Sequence, residues 1–241
     1  MFYDLENPID FVREISRILA PDGIWHFEQS YMPSMLRMNA YDTICHEHLE
    51  YYCLHNIWNI LQQAGLKILD VQMNSVNGGS FAVTASLKKS KLKSNDLFID
   101  WLLRQEESMG LKTIEPYMKF KAEVKKHQIS LRTLIETLRE DGKRISGYGA
   151  STKGNVILQY CALGKEHIDC IGEINPDKFG HFTPGTHIPI IPESEALAQK
   201  PDYLLVLPWH FRDGIMQKEE KYLEAGGKMI FPLPEIEIVG G

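Results

Sequence analysis

The C-terminal part of the sequence alternates between segments with strand character and segments with helix character. A short strand runs into Gly147, and a helix follows from about Lys153 to Leu163. Further strands are predicted at 168–173, 188–191, 203–207 and 228–231, and further helices at 193–199 and 212–224. Repeated strand–helix units build parallel sheets. The pattern therefore predicts a compact Rossmann-like α/β unit that begins near Arg144.

A glycine-containing loop joins the first of these strands to its helix. Glycines permit a tight turn and a close backbone approach, so that free amide groups at the helix start can face a phosphate. The P-loop pattern is not matched, because Asn155 stands at its lysine position, and Thr152 stands at the third glycine position of the dinucleotide pattern. The alternative is a sharp turn without a ligand. We predict a phosphate site formed by Gly147, Gly149, Ser151, Lys153 and Asn155.

Polar residues also follow the other predicted strands, at the same expected edge of the sheet. Glu173 ends the second strand, at a looser spacing from the glycines than the roughly 20 residues at which an acidic residue often meets a ribose hydroxyl. Ligands of open α/β sheets bind beyond the carboxyl ends of the strands. The candidate substrate-binding residues therefore also include Glu173, Asn175, Lys178 and His210, although each of their turns can be purely structural.

The segment from Thr43 to Tyr52, the His/Glu segment, combines two imidazoles, two carboxylates, a thiol and two phenols. A core rejects such a mixture, because each buried polar group without a partner costs about 1–3 kcal/mol. An imidazole with an unperturbed pKa of about 6.5 is suited to accept a proton near neutrality. We interpret His48 as a general base beside Glu47. The alternative is a hydrogen-bonded structural cluster.

The N-terminal part of the sequence reads as a fragment of an α/β fold. Its predicted elements are a helix after Asn7-Pro8, a strand at 24–28, a helix from Leu54 to Gly65, and strands at 66–71 and 80–87 joined by a turn at Asn77–Gly79. Sheets of this class are built from several helix–strand units, and none precedes the first helix of this sequence. We therefore expect the chain to begin in the middle of a domain.

Charge and cysteine usage limit the classes of partner. The net charge of −6 gives no general attraction to nucleic acid or to an anionic membrane. No apolar run approaches the roughly 18–20 residues of a membrane span. The four cysteines form no C-x-x-C pair and follow no secretory signal, which favours reduced thiols in a cytoplasm. We expect a cytoplasmic protein whose partners include neither nucleic acid nor a membrane.

A set of motifs together resembles the C-methyltransferases that act on nucleotide-diphosphate keto-sugars. The motifs are the His/Glu segment, the turn at Asn77–Ser80, the loop at Gly147–Asn155, Asn175-Pro176-x-Lys178, Pro184-Gly185-Thr186, and the run from Leu207 to Phe211. The resemblance covers essentially the whole chain. It implies S-adenosylmethionine (SAM) as cofactor, a nucleotide-diphosphate sugar as substrate, and a C-terminal Rossmann-like domain that helps to hold this substrate.

The same resemblance implies roles within the His/Glu segment. His48 would remove the proton from the carbon beside the keto group, with Glu47 assisting, and methyl transfer from SAM to the enolate would follow. Cys45 stands where family members carry a tyrosine, and a thiol is a weaker hydrogen-bond donor than a phenol. The enolate oxygen would be supported by Cys45 or, in its place, by Tyr51 or Tyr52.

The sequence departs from the family in its N-terminal region. Family members are similar in carrying a zinc-binding cysteine cluster and a glycine-rich SAM loop, and neither precedes the first helix here. We expect this polypeptide alone to bind SAM weakly or not at all, and a separate chain to supply the missing half. The expected organisation is a partial methyltransferase Rossmann domain at 1–90, a helical connector at 91–142 and a nucleotide-sugar-binding Rossmann-like domain at 143–241.

Three other interpretations stay open. His46 and His48 with Cys45 or His55 can form a zinc site, but Glu50 stands where the H-E-x-x-H motif needs its second histidine, and we expect no metal. The glycine loop can bind the pyrophosphate of NAD(P) in an oxidoreductase. The chain can also bind a nucleotide-sugar without turning it over.

Overall fold

The computed structural model describes residues 2–240, apart from the side chain of Asn77, and shows a mixed α/β protein. The α/β class predicted from the sequence is thus confirmed. The chain forms two compact units. The first contains the residues up to Arg37 together with His46–Phe120, and the second contains Met38–Cys45 together with the chain from Lys121 onward. The division into domains at 1–90, 91–142 and 143–241 stays a prediction.

The first unit contains a small sheet and the helices that pack on it. Its elements are α1 (Pro8–Ile18), β1 (Ile24–Ser30), α2 (Met32–Arg37), α3 (Leu54–Gln63), β2 (Leu66–Asn74), β3 (Ser80–Leu87) and α4 (Asp96–Ser108). Within the described residues of this unit the strand order is β1-β3-β2, and both pairings are antiparallel. The hairpin predicted around Asn77–Gly79 is therefore confirmed.

Local sequence signals account for the start of α1 and for the turn after it. The side chain of Asn7 accepts a hydrogen bond from the Asp10 amide at 3.2 Å. Pro8 occupies the first turn, where a helix needs no amide donor. After the helix, the amide of Gly23 donates to the carbonyl of Ala20 at 2.9 Å and closes the turn into β1. The helix buries Val12 and packs on α3.

Aromatic side chains near the N-terminus belong to the core of the first unit. The buried ring of Phe2 lies 5.3 Å from the ring of Tyr52 and 5.6 Å from that of Phe27, measured between centroids. Aromatic pairs at such distances add stability beyond the area that they bury. This packing fixes the 3₁₀ helix Phe2–Asp4, which contacts the His/Glu segment.

A buried carboxylate, that of Glu106 in α4, connects three elements of the first unit. It accepts hydrogen bonds from the amides of Leu54 and His55 at 2.6 and 2.9 Å, and from the hydroxyl of Tyr31 at 2.8 Å. The two amides start α3, where the helix dipole favours a negative charge. Because Glu106 is only 3% exposed, these bonds also offset the cost of burying it.

The second unit is built around a mostly parallel sheet. Apart from Met38–Cys45, its chain begins within α5 (Glu115–Glu140). Its further elements are β4 (Ile145–Tyr148), α6 (Thr152–Tyr160), β5 (Ile171–Glu173), β6 (Ile190–Pro192), α7 (Glu193–Ala198), β7 (Tyr203–Val206), α8 (Arg212–Lys218), α9 (Glu220–Glu224), β8 (Lys228–Phe231) and β9 (Glu237–Val239). Over the described residues the strand order is β6-β5-β4-β7-β8-β9, and β9 alone is antiparallel. This is a doubly wound order, with its switch point between β4 and β7.

The second unit follows the predicted alternation and differs from it in two details. The single helix predicted at 212–224 is divided into α8 and α9, because the chain leaves helical geometry at Glu219 (φ −101°, ψ 25°). The buried carboxylate of Glu219 accepts a hydrogen bond from the hydroxyl of Tyr148 at 2.9 Å. Strand β9 was not predicted. Across residues 2–240, each helix is too short or too polar to cross a membrane.

Glu106→Ala is expected to lower the free energy of unfolding by about 2–4 kcal/mol, because three buried donors lose their acceptor. Glu107→Ala, at the exposed next position of α4, is the matched control and should change it by less than about 0.5 kcal/mol. Urea unfolding followed by circular dichroism measures both. Equal effects of the two substitutions would contradict the role assigned to Glu106.

Candidate functional site

The His/Glu segment is divided between the two units. Cys45 closes the stretch Met38–Cys45, which belongs to the second unit, whereas His46 to Tyr52 belong to the first. The segment lies between the 3₁₀ helix Tyr41–Thr43 and α3. Cys45 is half-buried. The structure therefore brings together only part of the predicted catalytic set within one unit, namely Glu47 and His48.

His48 is a half-buried side chain next to aromatic rings of the first unit. Its ring centroid lies 4.4 Å from that of Tyr3 and 6.5 Å from that of Tyr51. The amides of Leu49 and Glu50 donate to the carbonyl of Tyr3 at 3.0 and 3.3 Å. The backbone after His48 is thus fixed by the N-terminal 3₁₀ helix. Partial burial with a fixed backbone suits a side chain that must meet a substrate atom.

The acidic neighbours of His48 have different environments. Glu47 is exposed, and one of its oxygens lies 4.0 Å from Nε2 of His46, whose side chain is 88% exposed. Glu50 accepts a hydrogen bond from the hydroxyl of Tyr52. Burial and this contact raise the pKa of Tyr52 above its ordinary value. The hydroxyl of Tyr52 is therefore engaged within the segment, whereas the phenol rings of Tyr3 and Tyr51 lie beside His48.

The glycines of the predicted phosphate loop allow close packing of the protein on itself. A Cβ atom on Gly147 would overlap Cδ1 of Ile171, and one on Gly149 would lie 2.9 Å from the ring of Pro208. Gly149 also has a φ of +80°, a value that favours glycine. The space beside both glycines is filled by protein side chains. Packing thus accounts for both glycines, and their part in a phosphate site stays a prediction.

The residues after the glycines form the start of α6. Ser151 is the N-cap, and its hydroxyl accepts a hydrogen bond from the amide of Gly154 at 3.0 Å. Lys153 and Asn155 follow in the first turns and are half-buried. The positive end of the helix dipole, together with the ammonium of Lys153, gives this helix start a favourable field for an anion.

Glu173 connects two loops at the carboxyl edge of the sheet. One of its oxygens accepts from the amide of Ala150 at 2.9 Å and from Nζ of Lys178 at 3.2 Å. The other accepts from the amides of Ile174 and Asn175 at 2.8 and 3.0 Å. Both oxygens of this carboxylate, which is 7% exposed, thus face protein donors. The geometry gives Glu173 a structural task, and a contact with a ribose stays a prediction.

The pKa of Glu173 reports the same contacts. Burial acts to raise it, but the hydrogen bonds from the Asn175 and Ile174 amides, with the charge and hydrogen bond of Lys178, bring it below its ordinary value. Lys178 also donates to the carbonyl of Ala150 at 2.6 Å. The side chain of Asn175 accepts from the amide of Asp177 at 3.0 Å. Both predicted site residues therefore help to shape the loop after β5.

His210 follows β7, at the same edge of the parallel sheet as the loops after β4 and β5. Its ring centroid lies 4.3 Å from that of Phe211 and 5.7 Å from that of Trp209. Burial, together with the positive charge of Lys153, lowers the pKa of His210 to about 4. The imidazole is therefore neutral near pH 7. His210 is thus close enough to Lys153 for the charge of Lys153 to act on it, and a role of either residue in substrate binding stays a prediction.

One buried residue of this region was missed in the sequence. Asp42, at 0% exposed, accepts a hydrogen bond from Nε1 of Trp209 at 2.8 Å, and the charge of Lys153 acts on it. Its place in a 3₁₀ helix of three residues gave no periodic signal. Within residues 2–240 no three His, Cys, Asp or Glu side chains are grouped as a metal site requires.

The doubly wound sheet and the loops at its carboxyl edge define an α/β protein with a candidate anion site. A family model for the C-methyltransferase C-terminal domain matches residues 75–234. The match covers more than half of the sequence, and the chain therefore belongs to the C-methyltransferase family. The resemblance inferred from the motifs is confirmed at this level.

Of two similar curated proteins, one supports the family. The C-methyltransferase NovU of Streptomyces niveus is 33% identical over 225 residues, which are 93% of this chain and 53% of NovU. A UDP-N-acetylmuramate–L-alanine ligase of Salinispora tropica is 38% identical over 80 residues, which are 32% of this chain and 15% of the ligase. The chain thus spans about half the length of NovU and a smaller share of the ligase.

Glu173→Gln should reduce the dependence of stability on pH between about 3 and 6. The ordinary pKa of a glutamate, which applies in the unfolded chain, is about 4.3, and the pKa in the folded protein is lower. Stabilisation by this carboxylate is therefore complete above the unfolded pKa and is lost as pH falls through the folded one. The isosteric amide cannot titrate.

Urea unfolding at several pH values measures this effect as the difference in free energy of unfolding between the original chain and Glu173→Gln. The difference should shrink as pH falls. Glu195→Gln, at an exposed position of α7, is the matched control. A difference for Glu173→Gln that does not change with pH would contradict the role of its charge.

Proposed function

We propose that this chain supplies the catalytic base and a substrate-binding unit of a C-methyltransferase. The methyl group is transferred to the carbon next to the keto group of a nucleotide-diphosphate sugar. The family match over residues 75–234 carries the reaction class. The similarity to NovU supports that class, since that protein is named a C-methyltransferase. The sugar nucleotide follows from the motif resemblance and from the anion-favouring helix start in the second unit.

His48 is the proposed base. A proton on a carbon next to a carbonyl is removed efficiently only by a base held at the right place, and such a base contributes roughly 10²- to 10⁴-fold to the rate. Its half-buried ring, next to Tyr3 and Tyr51, and the fixed backbone at Leu49 and Glu50 support this role. Glu47 is proposed to assist through its charge, because its side chain is exposed beside the base.

The enolate oxygen formed by this step needs a hydrogen-bond donor. Three candidates came from the sequence, namely Cys45, Tyr51 and Tyr52. The hydroxyl of Tyr52 donates to Glu50, and a thiol such as that of Cys45 is a weak donor. We therefore favour Tyr51, whose ring neighbours that of His48.

The diphosphate of the substrate is proposed to bind at the start of α6. The net charge of −6 means that an anion must be held by local groups. Ser151, Lys153 and Asn155 lie in the cap and first turns of this helix, and His210 is close enough for the charge of Lys153 to act on it. Glu173, Asn175 and Lys178 are proposed to hold the neighbouring loop in shape.

The residues described here do not provide a site for SAM of the kind that the family implies. In the first unit within residues 2–240, β1 is followed by Tyr31 and α2, β2 by the hairpin turn, and β3 by the segment 88–95. None of these connections is a glycine-rich turn from a strand into a helix start. SAM, when bound, supplies an electrophilic methyl group. We propose that residues outside the described part of the chain carry most of its pocket.

His48→Gln should slow hydrogen exchange on the substrate by about 10²-fold or more, because the base is lost while its size is kept. Deuterium incorporation next to the keto group of a thymidine-diphosphate keto-sugar in D₂O, followed by NMR, measures proton removal without a methyl donor. His46→Gln, at the largely exposed neighbouring imidazole, is the matched control. Undiminished exchange in His48→Gln would refute the base assignment. Binding of the sugar nucleotide without exchange by the original chain would favour a binding-only function.

Titration calorimetry with SAM should give no binding in the micromolar range or tighter, because the described residues of the first unit form no glycine-rich strand-to-helix turn. Titration with a thymidine-diphosphate sugar under the same conditions is the positive control. Micromolar binding of SAM to this chain would contradict the proposal that most of the SAM pocket lies outside the described residues.

Lys153→Met should weaken the binding of thymidine diphosphate by about tenfold or more, because a charge-assisted contact contributes about 1.5–3 kcal/mol. Lys165→Met removes an exposed lysine of the same unit and should leave the affinity nearly unchanged. Calorimetry measures both variants. Equal losses in the two would show that only the overall charge matters.

A further inference from the structure

Phe211 is a large aromatic side chain that stays exposed beyond the carboxyl end of β7. It ends the 3₁₀ helix Trp209–Phe211, and 61% of the residue is accessible to solvent. Single exposed apolar side chains are common on protein surfaces and need no explanation by themselves. The surroundings of this ring are unusual, because contacts within the second unit connect it to the helix start proposed to bind the diphosphate.

The first of these contacts joins the chain before Phe211 to the loop after β4. Strands β4 and β7 are parallel neighbours, so their carboxyl ends lie side by side. A Cβ atom on Gly149 would lie 2.9 Å from the ring of Pro208, and one on Gly154 would lie 2.7 Å from Cβ of Leu207. Leu207 and Pro208 therefore pack directly on the turn into α6 and on the first turn of that helix.

The second contact joins Phe211 to the same helix start through His210. The ring centroids of Phe211 and His210 lie 4.3 Å apart, with an angle of 48° between the ring planes. Burial, together with the positive charge of Lys153, lowers the pKa of His210 to about 4, so that the imidazole is neutral near pH 7. An uncharged aromatic pair thus lies within reach of the charge of Lys153.

The backbone that carries Phe211 is held in place. The amide of Phe211 donates to the carbonyl of Pro208 at 3.0 Å. The buried indole of Trp209 donates from Nε1 to Oδ2 of Asp42 at 2.8 Å. A group that is already fixed loses less conformational entropy when a ligand binds. The backbone position of Phe211 is therefore pre-organised for binding.

The cation that follows Phe211 is already paired with a carboxylate. Arg212 donates from Nε and Nη2 to the two carboxylate oxygens of Glu237 at 3.0 and 2.7 Å. A bidentate pair of this kind compensates the charge of the guanidinium. The surface at Phe211 thus presents an apolar ring rather than a second site for an anion. Such a ring fits a flat, uncharged group, and the base of a nucleotide is one.

We propose that Phe211 is the residue on which the base of the nucleoside diphosphate stacks, while the diphosphate binds at the start of α6. The inference rests on the proposed function, since it takes the second unit to bind a nucleoside diphosphate. Stacking on an aromatic side chain tolerates every base, because each base has a π-face. Phe211 therefore distinguishes a nucleoside diphosphate from a simple diphosphate, and it does not distinguish one base from another.

The first test compares thymidine diphosphate with inorganic pyrophosphate by calorimetry. Phe211→Ala should weaken the binding of thymidine diphosphate by about tenfold or more, which is the range of base stacking. It should leave the affinity for pyrophosphate nearly unchanged, because pyrophosphate has no base. Phe211→Tyr keeps an aromatic ring and should retain the affinity for both. Unchanged binding of thymidine diphosphate by Phe211→Ala overturns the proposal, and so do equal losses for the two ligands.

Phe182→Ala is the matched control. Phe182 is also 61% exposed, and it pairs with Pro189, which directly precedes β6. Because β6 is parallel to the other strands around the site, its start lies at the opposite edge of the sheet. Phe182→Ala should therefore leave the affinity for both ligands nearly unchanged. A loss of thymidine diphosphate affinity in Phe182→Ala as large as that in Phe211→Ala overturns the proposal.

The other side of β4 offers an alternative place for the base. Ile174 follows β5 and is 71% exposed, and β5 and β7 flank β4 in the sheet. Ile174→Ser should change the affinity for thymidine diphosphate less than Phe211→Ala does. A loss in Ile174→Ser with unchanged binding by Phe211→Ala places the base on the β5 side and overturns the proposal.

The second test detects the stacking directly. Protons held over the face of an aromatic ring move upfield in the NMR spectrum, so the H6 and methyl signals of thymine should shift upfield when thymidine diphosphate binds to the original chain. Phe211→Ala, at saturating ligand, should lose this shift, whereas Phe182→Ala should keep it. The same upfield shift in Phe211→Ala and in the original chain overturns the proposal.

The behaviour of the original chain separates failure of the proposal from failure of the proposed function. If the original chain binds neither thymidine diphosphate nor pyrophosphate, the proposed substrate is wrong, and the role of Phe211 is refuted with it. If it binds both ligands equally well, the anion site stands and only the role of Phe211 is refuted. Tighter binding of thymidine diphosphate than of pyrophosphate, with the difference lost in Phe211→Ala, supports the proposal.

Discussion

Buried carboxylates that accept several hydrogen bonds hold both units of this protein in shape. Glu106 joins α4 to the start of α3 and to Tyr31, and Glu173 joins the loops after β4 and β5. In each case the carboxylate accepts from backbone amides that the surrounding elements leave without a partner of their own. A charged group placed in this way is stabilised only while all its donors stay in position. Each carboxylate thus couples the positions of the elements that carry its hydrogen-bond donors.

Much of the fold follows from signals that act within a few residues. The Asn7 cap and the Gly23 turn set the limits of α1, and Gly149 with its positive φ sets the turn into α6. The boundary between α8 and α9 could not be predicted in this way. It falls at Glu219, whose carboxylate accepts a hydrogen bond from Tyr148, a residue far away in the sequence. Strand β9 is only three residues long and pairs with β8 through tertiary contacts.

The candidate site shows the same limit. His48 stood out because an imidazole in a dense polar segment has a recognisable chemistry, and Lys153 and His210 stood out because they follow strands of one parallel sheet. Asp42 did not, because one aspartate in a short 3₁₀ helix carries no pattern. Its importance arises from complete burial and from the hydrogen bond to Trp209. Both depend on packing between residues distant in the sequence, which no local spacing encodes.

The glycines of the loop after β4 can be explained in two ways, by room for a ligand or by close packing of the protein itself. Glycines near a helix start are commonly interpreted as room for a phosphate. Here the room beside Gly147 and Gly149 is taken by Ile171 and Pro208, so these glycines are needed for the strand and the turn to pack. A glycine pattern at a helix start is therefore not by itself evidence for a phosphate, because close packing requires glycine at the same positions.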